Sequence, residues 1–184
     1  AKCLVVWHHW GKESLVEEYG APPDKVSVIP PGIDLERWNF PRRETQSGKV
    51  RLLFVGGDFR RKGGETLLTA FRQSLKESCE LDIITREEVD VRDLPNVRVH
   101  RGLGSNAPQL MALFAQADVF VFPTLADVLP LAIMEAMASS LPIVTTTVGA
   151  ISEEIEEGVN GLVIPPNDVG ALAEATLKLV KDPN

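Results

Sequence analysis

Cysteine is scarce in this chain of 184 residues: Cys3 and Cys79 are the only two, far apart and with no His or Cys beside them at metal-ligand spacing. A disulfide framework and a zinc site are therefore not expected, and a reducing compartment is the default. Long hydrophobic runs are missing too, none approaching the ~20 residues that a bilayer span needs. The opening AKCLVVWHHWGKES lacks the layout of a signal peptide. A soluble, cytoplasmic protein is the expectation. Basic charge is short as well, since 19 Lys and Arg stand against 26 Asp and Glu for a formal net charge of −7. That balance gives no general attraction to nucleic acid or anionic lipid, so an anionic ligand must be met by a local cluster of donors. What remains is ordinary: 44% apolar residues, and length enough for one domain with a sizeable core or one domain plus a piece of another.

From Arg51 onward, short apolar runs alternate with segments of helical period. RLLFVG (51–56), ELDIIT (80–85), NVRVH (96–100), DVFVFP (118–123), PIVTTT (142–147) and GLVIP (161–165) read as strands. Residues 63–78, 107–117, 130–140, 152–158 and 168–182 read as helices between and after them. Several strands are apolar on both faces, which is the mark of a parallel sheet covered by helices. The expected fold is α/β, an open doubly wound, Rossmann-like parallel sheet. Residues 1–35 differ. CLVVW and KVSVIP could be strands, with GKESLVEEYG an amphipathic helix between them, and residues 36–50 read as a polar linker. Leu4, Val5, Val6, Trp7 and Trp10 would leave an apolar patch if a partner domain normally covers them.

Ligands of open parallel sheets bind outside the carboxyl ends of the strands. Three loops qualify. GGDFRRKGG (56–64) combines glycines that free the backbone with Arg60, Arg61 and Lys62 at a helix start, where cations oppose the macrodipole. An anionic ligand would explain that cost, and a solvated basic turn is the plainer alternative; the Walker spacing is absent. HRGLGSNAP (100–108) superficially matches a dinucleotide fingerprint through Gly102, Gly104 and Ala107, but two strands precede it, and a turn capped by Ser105 or Asn106 with Pro108 in the first helical turn explains it locally. TLADVLPLAIMEAMASSLPIVTT (124–146) puts Asp127 in a loop at the sheet edge and Glu135 in a helix among Ile133, Met134 and Met137. A carboxylate in such company is partly desolvated and wants hydrogen-bond donors, which a polyol would supply. The alternative is that Asp127 caps the helix and Glu135 faces solvent.

Taken in order, GGDFRRKGGETLLTAF, DVLPLAIMEAMASSLPIVTT and VGAISEEIEEGVNGLVIPPND resemble the nucleotide-sugar-binding, C-terminal half of GT-B glycosyltransferases of the retaining family 4 type. The likeness covers essentially the whole chain, with VIPPGID similar to the hinge before that half. It implies a donor-binding domain at 51–184, preceded by the remnant of an acceptor domain and a hinge at 1–35. The family's E-x7-E pair stands here as Asp127 and Glu135. By resemblance Glu135 would accept hydrogen bonds from ribose hydroxyls and Asp127 from those of the transferred sugar. Backbone N–H groups of Val128, Leu129 and Leu131 would meet the diphosphate. Lys62, assisted by Arg61, would neutralise the leaving group, and the loop with Gly102 and Leu103 would hold the base.

Three departures stand out. Asp127 is one methylene shorter than the usual Glu. Gly57 stands where many relatives carry an arginine, so that Arg60 or Arg61 would have to compensate. Pro130 removes one N–H donor. No D-x-D occurs, so no metal is expected. The resemblance implies transfer of a sugar from a UDP-, GDP- or ADP-linked donor to a hydroxyl acceptor with retention of configuration, in concert with an N-terminal acceptor domain through which the protein would associate peripherally with a membrane. The alternatives are a non-catalytic nucleotide-sugar-binding or interaction module and, more remotely, a dinucleotide-dependent enzyme.

Overall fold

The computed structural model describes residues 2–40 and 48–181. Its first unit is a small β-α-β. Strands β1 (Leu4–Val6) and β2 (Val26–Val28) pair in parallel, with Leu4 opposite Val26, and α1 (His9–Glu17) joins them. His8 caps α1, its Nδ1 accepting the Gly11 N–H at 2.8 Å. A Cβ on Gly11 would stand 2.6 Å from the His8 ring, so glycine makes that cap possible. The next two free amides of the helix start, on His9 and Trp10, donate to the two carboxylate oxygens of Glu153, each at 2.7 Å. Burial raises the Glu153 carboxyl, but these amides outweigh it and hold it below the usual carboxylate range. Val5, Trp7 and Trp10 are exposed while Leu4 and Val6 are half-buried, so the expected apolar patch is carried by the first three.

A short helix, α2 (Leu35–Trp38), follows with Asp34 as its cap. Residues 36–50 read as a polar linker, yet the segment's start is anchored in the core. Trp38 is 2% exposed and lies edge-on to Phe114 at 5.1 Å and to Phe40 at 6.3 Å. Residues 41–47 of that linker lie outside the described residues.

All six expected strands of the main sheet form. They are β3 (Val50–Val55), β4 (Cys79–Ile84), β5 (Val97–His100), β6 (Val119–Phe122), β7 (Ile143–Thr146) and β8 (Gly161–Ile164). They run parallel in the order β5-β4-β3-β6-β7-β8. The chain winds outward from β3 through β4 to β5, returns to the centre at β6 and winds outward the other way, which makes the β3–β6 boundary the topological switch point. The helices are α3 (Gly64–Ala70), α4 (Pro108–Gln116), α5 (Leu131–Ala138) and α6 (Val169–Lys181). α3 and α6 pack side by side on one face; α2 packs on α5, and Trp38 meets Phe114 of α4, on the other. Residues of β6 are buried on both faces, and its Phe120 and Phe122 stack at 5.9 Å, continuing to Phe114 on one side and Phe54 on the other.

Two helical expectations change. α3 gives way at Phe71–Leu75 to a π-turn, with Lys76 N–H bonded to Phe71 O. Residues 152–158 hold only the 3-10 turn Ile151–Glu153, because Asn160 takes the local backbone for itself. Its Oδ1 accepts from Glu156 N–H at 2.9 Å, its Nδ2 donates to Glu154 O at 3.0 Å, and Gly158 turns the chain at φ +77°.

Candidate donor site at the switch point

The loop after β3 owes its shape to a buried aromatic. Phe59 folds back under the loop, 6% exposed and edge-on to Phe54 at 5.6 Å. Its ring fills the space that a Cβ on Gly64 would need, 2.2 Å away. Gly63 adopts φ +78°, and a Cβ there would collide with Pro123 O at 1.8 Å, so only glycine lets this loop lie against the end of β6. The two loops are then stitched together: Leu125 N–H donates to Arg61 O at 2.9 Å, and the Thr124 hydroxyl donates to the same carbonyl at 3.3 Å. From β7, the Thr146 hydroxyl donates to Thr124 O at 2.8 Å. Gly149, at φ +62°, lies against the same loop, where a Cβ would stand 2.3 Å from Asp127 O, and Ala150 N–H donates to Val128 O at 2.9 Å. The loop after β3, the end of β7 and residues 149–150 thus fix the Asp127 loop in place.

Lys62 and Asp127 meet at the centre of this arrangement. Lys62 Nζ bonds Asp127 Oδ2, both side chains 14% exposed, with the ammonium 5.5 Å from the centre of the Phe122 ring. Asp127 Oδ1 accepts from Val128 N–H at 2.9 Å. Asp127 does not cap α5: the cap position is Pro130, just outside the first turn expected for it, and it supplies no side-chain bond. Val128 N–H is therefore engaged by Asp127, whereas Leu129 and Leu131 N–H have no acceptor among the described residues. Val128 and Leu131 are exposed at the mouth, 42% and 50%, and Leu129 is buried.

Glu135 lies one helical stretch further on, half-buried, its carboxylate without a partner among the described residues. Burial alone pushes its carboxyl up to about 7. It is neither a paired structural acid nor a freely solvated one.

The other basic residues of the loop are occupied. Arg60 is paired with Glu65 at 3.1 Å. Arg61 pairs with Asp58 at 3.0 Å and donates to Ala126 O at 2.8 Å; its bonds hold the Asp58 carboxyl below the usual range. Neither supplies any of the atoms nearest to a Cβ at Gly57. That place is taken by a residue the sequence reading passes over, Arg86, whose Nε lies 2.8 Å from where a Gly57 Cβ would be. Its place was legible, since Arg86 follows the β4 run directly at the same carboxyl edge, but its lack of an acid partner among the described residues was not.

Gly102 and Leu103 follow β5, at the sheet edge two strands from the switch point. Gly102 has φ +76° with open space around its Cα, and Leu103 is half-buried against the core. α4 begins at Pro108 with Ala107 at the cap position; Ser105 and Asn106 do not cap it, and Asn106 takes φ 59° instead. The preceding His100 is bonded through Nε2 to Asp82 at 2.6 Å, so it is committed to the β4–β5 ladder. Among the described residues no group of three or more His, Cys, Asp or Glu could hold a metal ion, and no helix is long and apolar enough to cross a membrane.

Residues 49–182 match the family model described as glycosyl transferases group 1. The chain belongs to this family. Among curated relatives, this glycosyl transferase chain is 31% identical over 190 residues to a D-inositol 3-phosphate glycosyltransferase of Arthrobacter sp., covering 92% of the chain and 45% of the relative. It is 28% identical over 180 residues to a glycogen synthase of Mycobacterium tuberculosis, covering 93% of the chain and 44% of the relative. The chain therefore spans less than half the length of these relatives. Among solved structures it superposes on sucrose-phosphate synthase from Thermosynechococcus elongatus with a TM-score of 0.82 and 24% identity, over 100% of this chain and 50% of that one. Anabaena Alr3699/HepE in complex with UDP-glucose gives 0.78 and 18%, over 99% and 55%. The fold is one half of the two-domain GT-B architecture, as its sequence motifs imply.

Proposed function

We propose that this group 1 glycosyl transferase chain is the donor-binding half of a retaining glycosyltransferase, which moves a sugar from a nucleoside diphosphate sugar to a hydroxyl acceptor held by a preceding domain. The observation that carries this reading is the meeting of Lys62 and Asp127, 65 residues apart in sequence, at the topological switch point. Each neutralises the other here. A bound donor would draw them apart, its diphosphate taking Lys62 and its sugar hydroxyls taking Asp127. Leu129 and Leu131 N–H at the start of α5 would add donors to the phosphates. Glu135, whose carboxylate has no partner among the described residues, would receive the two ribose hydroxyls.

In the transfer, the bond between the anomeric carbon and the phosphate oxygen breaks and its electron pair stays on the diphosphate. Lys62 stabilises that growing charge in a partly water-excluded crevice, where it is worth most. The acceptor hydroxyl attacks from the face the diphosphate leaves, passing its proton to a departing phosphate oxygen, and configuration is retained. No metal enters this scheme.

Isothermal titration of the chain with UDP, GDP, ADP and NADH tests the reading; the HepE complex makes UDP the first to try. One nucleoside diphosphate should bind, and Lys62→Ala and Glu135→Ala should each weaken it ~10-fold or more. Binding of NADH alone, or nucleotide binding indifferent to both substitutions, would overturn it.

A further inference from the structure

Six basic residues stand in the loops that follow β3, β4 and β5, and five of them are answered by acids. Arg60 pairs with Glu65, Arg61 with Asp58, Lys62 with Asp127, Arg92 with Asp90 and Arg101 with Glu88. Arg86 is the exception: its side chain has no hydrogen bond or ion pair among the described residues. The acid next to it, Glu87, is engaged elsewhere, accepting from Phe59 N–H at 2.8 Å.

The position of Arg86 is fixed even though its charge is unanswered. Its N–H donates to Gly57 O at 3.4 Å, continuing the β3–β4 pairing beyond the last ladder residues, and the Thr85 hydroxyl reaches the same carbonyl at 3.4 Å. The guanidinium then lies across Gly57. A Cβ there would be 2.8 Å from Nε and 3.2 Å from both Cζ and Nη2. On the neighbouring Gly56 the stem of Lys62 does the same, its Cβ 2.7 Å from where a Gly56 Cβ would be. Two consecutive glycines therefore seat two cations, one toward β6 and one toward β4. Adjacent strand ends are ~4.8 Å apart, about the reach of a diphosphate.

We propose that Arg86 binds the phosphate on the nucleoside side of the donor. The inference rests on the donor reading above and adds an order along the ligand. Sugar hydroxyls would lie at Asp127, the sugar-side phosphate at Lys62 over the end of β3, the nucleoside-side phosphate at Arg86 over the end of β4, and the base toward the loop after β5. A guanidinium suits that middle position because its fork of donors can hold two oxygens of one phosphate. Gly57 is the companion of Arg86: an absent side chain is what lets the guanidinium lie over the strand end.

The test compares monophosphates with diphosphates. UMP and UDP, GMP and GDP, and AMP and ADP would be titrated against the chain and against Arg86→Ala, Arg86→Lys, Gly57→Ala and Lys62→Ala. For the base that binds, Arg86→Ala should weaken monophosphate and diphosphate alike by ~10-fold, whereas Lys62→Ala should weaken the diphosphate alone. Arg86→Lys should recover part of the loss. Gly57→Ala keeps every charge but displaces the guanidinium, and should cost both ligands a smaller factor.

If Arg86→Ala and Gly57→Ala bind both ligands as the unaltered chain does while Lys62→Ala is impaired, the assignment of Arg86 is wrong and the donor reading stands. A loss on Arg86→Ala confined to the diphosphate also overturns the order proposed here. If the unaltered chain binds none of the six nucleotides, the donor reading falls and takes this inference with it.

Discussion

Replacing Glu135 with glutamine should stabilise the protein above neutral pH and leave it nearly unchanged at pH 5. The carboxyl is pushed from 4.5 up to about 7 by burial, so the folded protein holds its proton more tightly than the unfolded chain does. The stability linked to that proton is fully present below the unfolded value and is lost as the pH rises through about 7. At ~1.4 kcal/mol per pKa unit the whole shift corresponds to roughly 3 kcal/mol. The side chain is only half-buried, so solvent screens part of the cost, and ~1–2 kcal/mol remains. Glutamine keeps the shape without the charge. Urea denaturation at pH 5 and pH 8 measures the difference directly, and in a chain of this size the gain at pH 8 should appear as a rise of ~3–6 °C in Tm. A gain of the same size at both pH values would refute the reasoning, because it would trace to packing rather than to an ionised, partnerless acid. Under the proposed donor reading a bound nucleotide sugar would supply the missing partners, so affinity for the nucleotide sugar should rise between pH 6 and 8 in the unaltered protein and stay flat in Glu135→Gln.

Other parts of the structure make equally specific demands. Gly63→Ala places a methyl group on Pro123 O and forces φ +78° on a residue with a Cβ, and should cost ~3 kcal/mol or more in chemical denaturation. Trp38→Ala should cost ~3–5 kcal/mol by the same assay, since the ring is buried against Phe114; a loss under ~1 kcal/mol would mean that the segment does not belong to this core. In thiol titration of the native chain Cys3 should react at once and Cys79 only on unfolding, because Cys79 is fully buried and burial pushes its thiol up to about 11.

The strands were legible because β3 and β6 are largely apolar on both faces, a pattern that a parallel core strand imposes on sequence. The Lys62 and Asp127 loops were legible for a related reason: cations at a helix start and an acid in an apolar stretch are each locally unfavourable, and local conflict marks a place where something else is satisfied. The helix expected over residues 152–158 failed because Asn160 and Gly158 supply turn bonds that no hydrophobic period registers. Arg86 was missed because its distinction is negative. Nothing in a one-dimensional reading tells which of Arg60, Arg61, Arg86, Arg92 and Arg101 will find an acid; that is decided by which loops the sheet order brings together.

The attachment of the β1-α1-β2 unit through Glu153 has a mechanical consequence. Among the described residues both amide bonds from α1 to the neighbouring unit run to a single carboxylate, and a carboxylate turns about its own stem, so the fastening behaves as a swivel rather than a weld. Sliding the unit away would break both amide contacts at once, whereas tilting it keeps them. If strands of a preceding domain continue the small sheet of β1 and β2, they will rock about the Glu153 side chain. Glu153→Ala should then loosen the joint itself, seen as faster hydrogen exchange at the His9 and Trp10 amides with the six-stranded sheet unaffected.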